Sequence, residues 1–276
     1  MKPMTFIGAA LCVSAMTLAL SGIAHAQANR TFVSGTGSDT NTSSLCAVTT
    51  PCRTLLAALS VTNAGGEIDA ENAAGYGSIS ISNINLTLHG VPGASITAPS
   101  SGNGVTISAA GKTVTIDSWE ITGVGVPATN GVVLTAGNLV LRNSVVEYLA
   151  VGLLVGNNSS TAHADVVNTD FIGNNIGLET DGAGVDTANG NAPYTGTQTL
   201  VRINGGNAMD NTTAFDMINA GSDKNGNCEN TFWMFTSASS GTMNVTGSTT
   251  LLVNTPSSPP YSCEVGFTYN TTGAPN

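Results

Sequence analysis

The sequence predicts an all-β solenoid, a stack of parallel strands built from short repeats. Three observations predict it. From Leu86 to Met217 one pattern recurs five times: an alternating apolar strand, a polar corner, a short apolar segment, then a small residue opening another strand. Set in register, the repeats form two columns: Leu88, Ile116, Leu141, Val166 and Ile203, and Gly104, Gly131, Gly152, Gly177 and Ala214. From the third repeat onward the offset between the columns is fixed at eleven residues, as from Leu141 to Gly152 and from Ile203 to Ala214. A period in the twenties, with strand alternation and no helical face, is the signature of a β-solenoid. One repeat cannot bury its own apolar side chains, so repeats stack and share a continuous core.

Met1 to Ala26 has the plan of a secretory signal: Lys2, an apolar run from Phe6 to Leu20, and Ala24-His25-Ala26 as a small-x-small cleavage site. The mature chain is expected to begin near Gln27 and to be exported, to the periplasm or beyond. No later apolar run approaches the length of a membrane helix, so no membrane insertion is expected.

The 276-residue chain has 7 basic and 17 acidic residues, and charged residues make up only 9% of it. That balance argues against nucleic acid and anionic lipid as partners, because both require a cationic face. Cys46, Cys52, Cys228 and Cys263 remain beyond the signal. An even count in an exported chain reads as disulfides. Three connectivities exist, and proximity favours Cys46–Cys52 with Cys228–Cys263.

Residues 27–66 form an N-terminal cap. Thr50-Pro51 reads as a helix start, Leu55, Leu56 and Leu59 fall at helical spacing, and Gly65-Gly66 would stop the helix. Residues 67–224 are the repeats. Two positions past the first column lie Gly90, Ser118, Asn143, Asn168 and Gly205, a sharp corner that suits Asn and Gly. Asn143 and Asn168 would stack there as a structural ladder. From about Asn225 the register is expected to stop. Residues 225–276 read as an irregular C-terminal cap pinned by a disulfide, with Phe232 to Phe235 as concentrated apolar surface.

Three segments resemble the N-terminal region of secreted bacterial right-handed parallel β-helix proteins of the pectate-lyase-like superfamily. They are Arg30 to Asp39, Pro51-Cys52-Arg53-Thr54, and Gly65-Gly66-Glu67-Ile68. The resemblance covers residues 30–220. It implies a right-handed, single-stranded, three-sheet parallel β-helix with an N-terminal helical cap and an Asn ladder at one turn. It assigns a fold more than an activity, since many members are uncharacterised.

In related enzymes the sheet opened by the second column floors a saccharide groove. Its outward positions include Glu179 and Asp216, in one column on adjacent repeats. Stacked carboxylates repel, so one would hold a proton or the pair would hold a cation. The insertion Asp181 to Gln198 leaves the same sheet. Asp181 and Asp186 would suit calcium, and Tyr194 could stack on a sugar ring. Asn168-Thr169-Asp170 resembles the Asn-Thr-Asp motif of polygalacturonases, but the Asp-Asp and Gly-His-Gly elements of that pattern are missing. Arg142 is expected to pair with Asp117 on the surface. His89 sits just before the Gly90 corner, and His163 is expected in a polar turn.

The leading expectation is an exported, monomeric, saccharide-binding or surface-interaction protein that meets extracellular or cell-surface polysaccharide. The alternatives are a polysaccharide lyase or glycoside hydrolase using Glu179 and Asp216, and a structural, adhesin-like protein. Fold alone does not choose among them.

Overall fold

The computed structural model describes residues 27–123, 129–156, 161–181, 199–218, 230–235, 238–239, 242–245 and 266–267. The architecture is all-β, and the strands among these residues pair in parallel, an arrangement compatible with a parallel β-solenoid. One hydrogen-bonded sheet has 14 strands and a second has 7. Two strands, Asn103–Asp117 and Asn130–Arg142, run around a corner of the larger sheet and give it two faces. Their first halves pair with Ile79–Ser82 and Val151–Gly156. Their second halves pair with Leu86–His89 and Ala162–Val167.

The first column is a register line. Ile68, Leu88, Ile116, Leu141, Val166 and Ile203 follow one another across adjacent strands, and all six are buried. Each such side chain contributes about 1.5–3 kcal/mol of burial free energy. The second column explains its own composition. A Cβ added at Gly131, Gly152 or Gly177 would sit 2.5–2.6 Å from the carbonyl oxygen of the next residue in the column. No side chain fits at these three positions, which accounts for their glycines; the column ends in Ala214.

Several expectations change at the amino end. The helix is Leu55–Ser60, and its N-cap is Thr54, whose hydroxyl accepts from the Ala57 amide; Thr50 is not the cap. Cys52 is drawn instead into a bridge with Val33, and the Asp39 carboxylate accepts from the Arg53 and Thr54 amides. Gly65 and Gly66 do not stop the helix but lie within the strand Thr62–Ala70. The segment 27–66 also contains an unexpected strand, Ala28–Val33, paired in parallel with Thr62–Ala70. Its apolar alternation is too short to stand out in the sequence.

The disulfide Cys46–Cys52 is formed, and both residues are fully buried. Its loop lies along the outer edge of Ala28–Val33: Phe32 donates to the Cys46 carbonyl, and Cys52 donates to the Phe32 carbonyl. Backbone groups that would otherwise stand open on an edge strand are thus partly covered. The helix packs against Ala28–Val33, Thr62–Ala70 and Ile79–Ser82, burying Leu55 and Ala58.

The parallel register does not stop near residue 225. Asn230–Phe235 pairs with Thr199–Asn204, placing Phe232 beside Val201 and Met234 beside Ile203. Phe232 to Phe235 is apolar throughout, so no period-2 alternation marks the strand in the sequence. His163 lies within the strand Ala162–Val167 rather than in a turn, and burial with Arg202 nearby lowers its proton affinity. Among the described residues no helix is long and apolar enough to cross a membrane.

Candidate functional site

The corner that follows the first column carries most of the polar chemistry. Ser118, Asn143, Asn168 and Gly205 all have positive φ, between 46° and 77°, the left-handed backbone that Asn and Gly tolerate best. Asn168 Nδ2 donates to Asn143 Oδ1 at 3.1 Å, so the expected ladder is present. It does not end on a neutral group. Asn143 Nδ2 donates to Asp117 Oδ1 at 3.0 Å, and Ser118 Oγ donates to the same oxygen. The Arg142 guanidinium lies 2.9 Å from Asp117 Oδ2, and His89 Nδ1 lies 3.6 Å from that oxygen. Asp117 is buried, only 6% exposed. Burial opposes its ionisation, but the donors from Asn143, Ser118 and Arg142 outweigh it and hold its carboxyl below the ordinary aspartate value.

Beside this corner opens a cleft of about 690 Å³. His89, Pro92, Trp119, Glu120, Asn143 and Glu147 are among its walls. The corner Gly90–Gly93 forms one side. The strands Glu120–Gly123 and Val145–Glu147 of the smaller sheet form the other. Alternation aims their side chains: Ile121 and Val146 are buried, while Glu120 and Glu147 stand on the outer face. Glu120 pairs in register with Val145, and Glu147 with Thr122. The two glutamates therefore sit diagonally, with Cα atoms about 8 Å apart given strand spacing near 4.8 Å and a rise near 3.3 Å per residue. Burial first, and the like charge of Glu120 second, raise the proton affinity of Glu147 above the ordinary glutamate value. Tyr148, the next residue, is 56% exposed, and its ring lies over Gly173.

The face favoured by the sequence is also assembled, at the level of the backbone. Glu179 is in register with Leu154 on one side and Asp216 on the other. Asp181 follows at the end of the same strand, in register with Ile218. Asp186, Tyr194, Cys228 and Cys263 lie outside the described residues, as does the segment 1–26. Among the described residues no three His, Cys, Asp or Glu side chains come together as a metal site. Asp170 accepts from both nitrogens of Asn207 in the smaller sheet, apart from Glu179 in the larger one.

Glu120 and Glu147 escaped the sequence reading, yet a signal for Glu120 existed. The corner column, extended by two residues, gives Glu120, Val145, Asp170 and Asn207, and Glu147 lies two further along. A second ladder was also missed. Asn174 donates to the Val146 carbonyl and to Asn211 Oδ1, each at 3.0 Å, and accepts from the Leu149 amide at 3.1 Å. Asn211 donates to the Phe171 carbonyl at 2.9 Å.

Compared with known proteins, the chain matches no family model, no curated protein and no solved structure.

Proposed function

We propose that the chain is an exported saccharide-binding protein built on a right-handed, three-sheet parallel β-helix of the pectate-lyase-like class. The three strand faces and their common register support the fold. The helix Leu55–Ser60 and the disulfide loop would close one end of the stack. The segment containing Cys228 and Cys263 would close the other. The signal-like plan of residues 1–26 and the disulfide support export.

One observation carries the functional reading: the open cleft walled by His89, Glu120, Asn143 and Glu147, followed in the chain by the exposed Tyr148. Carboxylates accept hydrogen bonds from hydroxyls, and an exposed tyrosine ring offers an apolar platform with a polar tip. Its volume lies within the range of small-ligand sites. Titrating the purified protein with neutral, acidic and aminated oligosaccharides tests the reading. Binding is expected, and Tyr148→Ala should weaken it by about tenfold, near 1.4 kcal/mol, with the circular dichroism unchanged. Undiminished binding by that variant, or no binding at all, counts against it.

A second reading, a polysaccharide-cleaving enzyme, is favoured by the raised proton affinity of Glu147. A carboxyl with raised proton affinity is suited to protonate a leaving group, with Glu120 as the second carboxylate of the pair. The Glu179–Asp216 face, with calcium on Asp181 and Asp186, is the other place for such chemistry. New reducing or unsaturated ends would establish cleavage. Their loss in Glu147→Gln but not in Glu179→Gln would place it in the cleft.

A further inference from the structure

The cleft has a charge pattern that narrows its ligand, and the argument rests on the saccharide reading above. Three of its lining residues ionise: His89, Glu120 and Glu147. Among the described residues no lysine or arginine lines it. The nearby guanidinium of Arg142 is held by Asp117 at 2.9 Å, and His89 faces the same carboxylate at 3.6 Å. The guanidinium is therefore balanced by the buried aspartate, and the two glutamates are left as the acidic side chains that face a ligand. The whole chain adds to this field with a formal net charge of −10. A uronate entering the cleft would meet repulsion at long and short range, whereas a cation would be drawn in.

We infer that the cleft selects saccharides bearing free protonated amines, such as hexosamine units without N-acetyl groups, over neutral and uronic-acid saccharides. An ammonium group placed between Glu120 and Glu147 would hydrogen-bond to both and relieve their mutual repulsion. The proton affinity of Glu147, raised by burial and by the like charge of Glu120, fits the same picture. A bare divalent ion fits less well. Calcium takes six to eight oxygens at close range, whereas here two carboxylates stand on diagonal positions of adjacent strands, in a cleft of about 690 Å³. The remaining volume and the neighbouring Tyr148 match an extended ligand that carries its charge as a substituent.

The experiment is a calorimetric titration of the purified protein with three probes of equal length. They are a fully deacetylated glucosamine oligomer, its fully N-acetylated counterpart and an oligogalacturonate. The aminated oligomer should bind at least about tenfold more tightly than either of the others, with an affinity that falls as salt rises. Glu120→Gln and Glu147→Gln should each remove most of that preference, with an unchanged circular dichroism spectrum as the check that each variant is folded. If the N-acetylated or the galacturonate oligomer binds as tightly as the aminated one, the charge inference falls and the saccharide reading stands. An amine preference that survives both substitutions also overturns the inference, because the amine then sits elsewhere. If none of the three probes binds, the saccharide reading fails and takes the inference with it.

Discussion

The two asparagine ladders do the same job in opposite settings. Asn143 and Asn168 stack at an outer corner and hand their hydrogen bonds on to a carboxylate, Asp117. Asn174 and Asn211 stack inside, both buried, and hand theirs to backbone groups: Val146, Leu149 and Phe171. The outer ladder has water beside it as an alternative partner, and the inner one does not. An unmet hydrogen bond is therefore cheap outside and costly inside. The outer ladder carries charge and borders the cleft. The inner one is uncharged and sits where a charge would be hardest to solvate.

That contrast orders the expected effects. Asn174→Ala should be the most damaging, at about 2–4 kcal/mol, because it takes the side-chain partner from the buried Val146 carbonyl and Leu149 amide. Chemical denaturation measures it, and a loss under 1 kcal/mol would mean that the interior repairs itself. Asp117→Asn should cost about 1–2 kcal/mol at neutral pH, since it keeps the ladder's shape but gives up the charged acceptor facing Arg142. Its pH dependence is the sharper test. The native carboxyl of Asp117 lies below its ordinary value, so its contribution is present above about pH 4 and is lost as pH falls through the lower native value. Wild type and Asp117→Asn should therefore converge in acid and stay apart from pH 5 upward. Arg142→Ala should cost least, under about 1 kcal/mol, because the side chain is half exposed.

The sequence made the register legible and the corners only partly so. Leu88 to Ile203 and Gly104 to Ala214 stand out because burial and close backbone approach each admit few residue types. Asn143 over Asn168 was legible for the same reason, a left-handed backbone at both positions. Asp117 as the end of that ladder was not, because an aspartate one residue before the corner reads as ordinary surface. Glu120 and Glu147 were hidden by their offset: a search along single columns pairs residues in register, like Glu179 with Asp216, and passes over diagonal neighbours. The strand Ala28–Val33 was hidden because half of it is polar, and its outer edge is covered by a disulfide loop instead of a further strand.

Backbone hydrogen exchange, with and without a bound oligosaccharide, tests the central claim most directly, because it compares the cleft with the Glu179–Asp216 face in one experiment. Slowed exchange confined to residues 89–94, 118–120 and 143–148 is the predicted result. Slowing at 176–181 and 213–218, with none at the corner, would contradict it and move the site to the sheet face.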